Sequence, residues 1–209
     1  MTDNAYVRII LVMPKPSLRN RILDAGLKVM FRKGYIGSSV RDITTEADAP
    51  QGSFSNHFRS KEEFSREVLD RYFDHVKELV SRALDDKGAS PRERLRRYLD
   101  IITEQLKKDN FERGCLIGDF SLEAAPQSEM LRMRLAEIFL EWRAPFVACI
   151  ADAQARGEIE ATFAPDDLAE FLLASWEGAI LRMKVARGPE PLDRFKTIAF
   201  ATVFKEPLS

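Results

Sequence analysis

Two cysteines and two histidines are the whole supply of thiols and imidazoles in these 209 residues. Cys115 and Cys149 do not make a disulfide framework, and so few Cys and His, widely separated, argue against a structural zinc site. Long apolar runs are missing too. Residues 7–13 form the most apolar stretch near the start, but Arg8 interrupts it and it falls far short of the ~20 residues a spanning helix needs. Nothing resembles a secretory leader, so the chain reads as cytoplasmic with no membrane partner. A phosphate-cradling glycine loop, a metal cluster and a paired-carboxylate signature are also absent. No histidine is spaced to act as a base for Cys115, which argues against a cysteine-dependent enzyme on a helical scaffold. The reading that remains is a protein that binds rather than catalyses, with no cofactor and no metal.

Net charge is close to balance at -1, yet it is unevenly spread. Residues 1–60 hold nine basic side chains against five acidic ones, about +4, which leaves about -5 for the rest. A basic head on an acidic body suits a module that touches DNA, joined to one that does not. The acidic total, together with Ser55, is all that favours a helical interaction module with no DNA role, and a salt-dependent gel shift separates the two.

Most glycines and prolines fall between segments of helical periodicity, and sustained period-two alternation is lacking, so the fold class is all-α with about nine helices. Ile22, Ala25, Gly26, Val29 and Met30 form one apolar face of a first helix, with Ser17 as N-cap and Gly34 at its end. Short helices are expected over residues 39–47 and 51–57. Ser60-Lys-Glu-Glu63 and Ser90-Pro-Arg-Glu93 are capping boxes that open two longer helices. After Gly114 come a short helix ending near Pro126 and a long one over 128–156, which Pro145 should kink. A helix containing Trp176 starts at Pro165, and a last one runs over 191–204. Residues 1–16 read as a disordered arm, 17–62 as a three-helix domain and 63–209 as a larger helical domain.

Val40, Ile43, Ala47, Phe54 and Phe58 would make a small core beneath a helix-turn-helix at about 39–58. Gln51, Gly52, Ser53, Ser55, Asn56 and His57 would then face outward, short and uncharged, as side chains that hydrogen-bond base edges in a major groove do. Ser39 and Lys61, each at a helix start, are placed to take phosphates, and Arg41 adds charge beside them.

The residues Arg21-Ile-Leu-Asp-Ala25, Lys33-Gly-Tyr35, Ser39-Val-Arg-Asp-Ile43, Ala47, Gly52-Ser-Phe54 and His57-Phe-Arg-Ser-Lys-Glu-Glu63 together resemble the TetR family of one-component regulators. The resemblance implies a homodimer on double-stranded, pseudo-palindromic operator DNA. It also implies a C-terminal domain that binds a small-molecule effector and dimerises through 165–187 and 191–204. Two departures stand out. Ser55 occupies a position where the family usually has Tyr, and the usual Ala-Gly-Val-Ser turn is Ala47-Asp-Ala-Pro50 here.

Further along, Arg113-Gly-Cys-Leu-Ile-Gly118 and Leu181-Arg-Met-Lys184 resemble a smaller branch of that family, whose members repress genes for handling reactive unsaturated or oxidising compounds, among them an N-ethylmaleimide reductase regulator and an acrylate-responsive one. That likeness implies sensing at Cys115 with Lys184, by modification of the thiol. Arg113, Lys184 or the following helix start could stabilise a thiolate; equally, Cys115 could be a small buried hydrophobe. Cys149, on an apolar face with Phe146, Ile150 and Ala153, reads as core. Trp176 and Trp142, with Phe120, Phe139 and Phe146, could line an effector pocket.

Overall fold

The computed structural model describes residues 17–204; the arm expected over residues 1–16 lies outside them. Among the described residues there are eight α-helices, one 3-10 turn and no strand. The helices are α1 (Leu18–Gly37), α2 (Val40–Glu46), α3 (Lys61–Leu84), α4 (Pro91–Lys108), α5 (Leu116–Glu123), α6 (Glu129–Ala155), α7 (Pro165–Ala186) and α8 (Glu190–Val203), with the turn at Gln51–Ser53 between α2 and α3.

Serine sets five of the eight starts. The side chains of Ser17, Ser39, Ser60, Ser90 and Ser128 each accept a backbone N–H from the first turn of the helix they open, satisfying donors that have no intrahelical acceptor. The box at Ser90–Glu93 is reciprocal, and so is one at Ser39–Asp42. The one expected at Ser60 is half made, because the Glu63 carboxylate accepts the N–H of Arg59 instead.

The second short helix is the main departure from expectation. Instead of a helix over 51–57 there is a three-residue 3-10 turn followed by turns through His57. The Ser53 hydroxyl donates to the Pro50 carbonyl at 2.5 Å and the Ser55 hydroxyl to the Gly52 carbonyl at 3.0 Å. Both carbonyls are thereby occupied by side chains, a known way for serine to compete with α-helical pairing. Gly52, Ser53, Ser55 and Asn56 are weak helix formers and do little to resist this. Past it, α6 keeps helical conformation straight through Pro145. That proline leaves the Glu141 carbonyl without its usual donor.

A single buried cluster runs from α1 to α8. In the N-terminal part, Ile43, Ala47, Phe54 and Phe58 are buried as expected, with Val40 packed at their edge. Phe54, Phe58 and Phe64 close on one another with centroids 4.8 to 5.2 Å apart, and each such ring contributes roughly 1.5–3 kcal/mol by leaving water. Gly26 lets α1 approach α3: a Cβ there would lie 2.2 Å from the Phe64 ring. The first turns of α3 belong to this packing while its later turns carry α4 and α6, so the boundary expected near residue 62 falls within a continuous helix. In the body, the buried Arg94 donates to the Leu84 carbonyl at 3.0 Å and pairs with Asp152, tying the end of α3 to α4 and α6.

Candidate DNA-binding head and effector cavity

The turn between α2 and the 3-10 segment is fixed from α1. Arg21 donates to the carbonyls of Ala47 and Asp48 at 2.7 and 2.8 Å. Asp48 itself takes a left-handed conformation, with φ of 48°. A short polar side chain is among the few non-glycine types that visit that region, so the fold tolerates the departure in the turn. Gln51, Gly52, Ser55, Asn56 and His57 are exposed as expected. Ser53 is not: it is buried, with its hydroxyl turned back to Pro50, and it leaves the outward set. Gly52 has open space around it, since a Cβ would meet nothing within 4 Å.

Most of the head's positive charge is already paired. Lys33 meets Asp42 and Arg32 meets Glu46, both at 2.7 Å, while Arg19 pairs with Glu67. Lys33, together with the Ser39 hydroxyl and N–H, holds the Asp42 carboxyl down at about 2. Asp42 thus sits on the very N–H that Ser39 was expected to offer to a phosphate. Lys61 donates to the Tyr35 carbonyl and lies 4.6 Å from that ring's centroid, and partial burial lowers its pKa. Arg41 and Arg59 are exposed, and neither guanidinium has an ion-pair partner among the described residues. Arg59, at the end of the turn segment, is a residue the sequence reading missed; its signal was its charge next to an uncharged outward face.

In the body, α5, α6 and α7 line a half-open cavity of about 430 Å³, within the size range of small-molecule sites. Cys115, the N-cap of α5, lies on its wall with Gly118, Phe139, Trp142 and Glu177. The Tyr72 hydroxyl reaches the thiol from α3 at 3.8 Å. Burial, and then the charge of Glu177, push the Cys115 thiol well above its usual pKa. The two cations expected to stabilise a thiolate are engaged elsewhere. Arg113 pairs with Asp109 at 2.8 Å and lies over the Phe31 ring. Lys184 lines the cavity, but both its contacts at 2.9 and 3.0 Å are to the Asp119 carboxylate. Of the two readings of Cys115 that the sequence leaves open, its burial and the engagement of both cations elsewhere support the small buried thiol over a stabilised thiolate.

Glu177 was not legible in the sequence. Burial raises its carboxyl to about 7, the neighbouring Cys115 thiol draws it back and the charge of Asp119 pushes it further up. Its Oε1 is buried without a hydrogen-bond partner. Its other oxygen sits 2.9 Å from where a Cβ at Gly118 would be, so that glycine makes its room. Trp176 does not line this cavity: it is buried on the other side of α7, its ring 5.3 Å from that of Phe195, beside a much smaller cavity of about 30 Å³. Phe120 and Phe146 are likewise core, against Tyr35 and Tyr98. Cys149 is buried with its thiol toward the Pro91 carbonyl, its pKa raised to about 11 by burial.

The cavity and the head share α5. Its Glu123 accepts the Ile36 N–H at 3.1 Å and lies against Gly34, whose φ of 71° and lack of a Cβ leave the carboxylate space. Phe120 meets Tyr35 at 5.7 Å on the same side. Among the described residues no three His, Cys, Asp or Glu side chains gather as a metal site, and no helix is long and apolar enough to cross a membrane.

Comparison with known proteins agrees in both halves. Residues 22–68 match the family described as bacterial regulatory proteins, tetR family, and residues 91–199 match the tetracyclin repressor-like C-terminal domain. The chain is 45% identical over 188 residues to the HTH-type transcriptional repressor DhaR of Mycobacterium sp. (strain GP1), covering 90% of this chain and 93% of that one. It is 34% identical over 183 residues to the transcriptional regulator AcuR of Cereibacter sphaeroides, covering 87% and 84%. A crystal structure of a regulatory protein TetR from Rhodobacter sphaeroides aligns with a TM-score of 0.82 at 33% identity, over 86% of this chain and 95% of that one.

Proposed function

The chain belongs to the TetR family of bacterial regulators, and from that premise we propose that it is a dimeric repressor that leaves a pseudo-palindromic operator when an effector occupies the α5–α7 cavity. The observation that carries this reading is the double duty of α5. One side of the helix lines the cavity through Cys115, Gly118, Asp119 and Leu122, and the other seats α1 through Glu123 and Phe120. A molecule that displaces α5 must also move the first helix of the head. Two packings of one helix against a common core give a discrete shift, which an effector biases by binding one of them better.

In this reading Gln51, Gly52, Ser55, Asn56 and His57 meet the bases, while Arg41, Arg59 and the free donor positions of Lys61 meet phosphates. Two copies would join through α7 and α8. Phe171, Leu181 and Val185 are large, apolar and exposed on α7, spaced with the small Ala174 and Gly178 at helical intervals, and Ile198 is exposed on α8. Such a mixture suits close packing across a two-fold axis.

A gel-shift titration on the DNA flanking its own gene tests the proposal. The expected result is a saturable complex that survives excess random DNA and weakens steeply with salt, as counterion release requires. A complex that random DNA removes at equal concentration would sink it.

A further inference from the structure

We propose that the α5–α7 cavity takes a small organic cation, an ammonium whose N–H groups bond the Glu177 carboxylate and whose apolar body lies against Phe139 and Trp142. The inference deepens the effector-released reading and rests on it for its biological role, though not for its binding chemistry.

The cavity face of α7 carries Glu170, Leu173, Glu177, Ile180, Leu181 and Lys184 at helical intervals. Glu177 is at the middle of that run and is the deepest of its charged members, with Gly118 of α5 making room for one carboxyl oxygen. Its Oε1 is buried and has no protein partner. Buried polar groups are as a rule hydrogen-bonded and buried charges paired, so an acceptor left open on a cavity wall points to a donor that comes from outside. Phe139 and Trp142, stacked with centroids 6.4 Å apart, give the same cavity an aromatic wall.

The charges select the ligand. The other two carboxylates on the wall already have cations: Asp119 holds Lys184, and Glu170 holds Arg143 at 3.1 Å. The groups facing Glu177 are Cys115 and Asp119 of α5, Tyr72 of α3 and Tyr98 of α4, with the thiol and both tyrosines held neutral by burial. Among the described residues no cation pairs with it. Ionised, Glu177 is the one uncompensated charge of the cavity. An ammonium supplies the missing donor and the missing charge together, and aromatic faces attract it as well. An alcohol of the same shape supplies the donor alone, and a carboxylate meets repulsion.

This pairing has a pH signature. Burial raises the Glu177 carboxyl to about 7, and a bound cation stabilises its ionised form and so pulls that value down. Below about 7 the empty site holds a proton that the cation must displace. Affinity should then rise by up to about tenfold per pH unit as pH climbs toward that value, with one proton released, and level off above it. An uncharged ligand of the same shape displaces no proton and shows no such rise.

The test uses the full chain and three probes that share a ring and chain but differ in the head group: phenethylamine, 2-phenylethanol and phenylacetate. Titration calorimetry from pH 5.5 to 8.5, in two buffers of different ionisation enthalpy, gives affinity and protons released. The expected result at the alkaline end is phenethylamine binding about tenfold or more tighter than 2-phenylethanol, the margin of a charge-assisted over a neutral hydrogen bond, with phenylacetate weakest. The margin should shrink below about 7, where proton release appears. Glu177→Gln should bind 2-phenylethanol as before and lose both the preference for the amine and its pH dependence. Equal affinity for amine and alcohol, a flat pH profile, no amine binding at millimolar concentration, or a folded Glu177→Gln variant that keeps the preference would each overturn the proposal. If Glu177→Gln does not fold, the wild-type proton release decides alone. Amine binding with this signature that leaves operator DNA bound contradicts the repressor reading and leaves the cation site standing; DNA release by 2-phenylethanol or phenylacetate, with no preference for the amine, does the reverse.

Discussion

Gln51 and Ser53 stand two positions apart, and the sequence offers no reason to treat them differently. Both are uncharged hydrogen-bonders beside the same glycine. The fold separates them: Gln51 is exposed, while the Ser53 hydroxyl closes onto Pro50. Gln51→Ala should therefore relax base preference, at about 1–3 kcal/mol for a bidentate contact. Ser53→Ala should lower thermal stability and weaken specific and random DNA alike. Binding titrations of both variants on specific and scrambled DNA check this, and a specificity loss confined to Ser53→Ala would reverse the assignment. Lys61 and Lys184 show the same limit of sequence reading. Their charge was visible, but their engagement by Tyr35 and Asp119 depends on helices distant in the chain. So does the environment of Cys115, which Tyr72 and Glu177 bring from 43 and 62 positions away in sequence.

At the scale of elements, the proposed regulation turns on α5. It is eight residues long, too short to be stable alone, and its place is set by what it touches on either side. Glu123→Ala removes the carboxylate from the Ile36 N–H and Gly34 while leaving the cavity lining intact. We expect operator affinity without effector to change little, and the loss of affinity on effector binding to shrink by a coupling of about 1–3 kcal/mol. Paired titrations of wild type and Glu123→Ala, with and without effector, measure it; unchanged coupling would place the linkage elsewhere. The helices themselves were largely legible, since serine caps, helical periodicity and the Gly157 and Gly188 breaks mark most ends. The segment over 51–57 was not, because two hydroxyl-to-carbonyl bonds outweigh an ordinary helix-turn-helix pattern there.

For the whole molecule, the two halves answer to different physical demands. The head is small, carries paired charges that stiffen α1 against α2, and leaves an uncharged face flanked by Arg41 and Arg59, the face proposed to meet DNA. The body is larger, with a half-open cavity and an exposed apolar stripe on α7 and α8. Burying that stripe against a second copy would set two heads at a fixed separation, and a fixed separation is what a two-fold operator reads. The most direct measurement is selection of bound sequences from a random duplex library by the full-length protein. The account predicts an enriched inverted repeat whose half-site centres lie about one helical turn, roughly 34 Å, or slightly more apart. Enrichment of a single unrepeated half-site, or of no sequence at all, would contradict it.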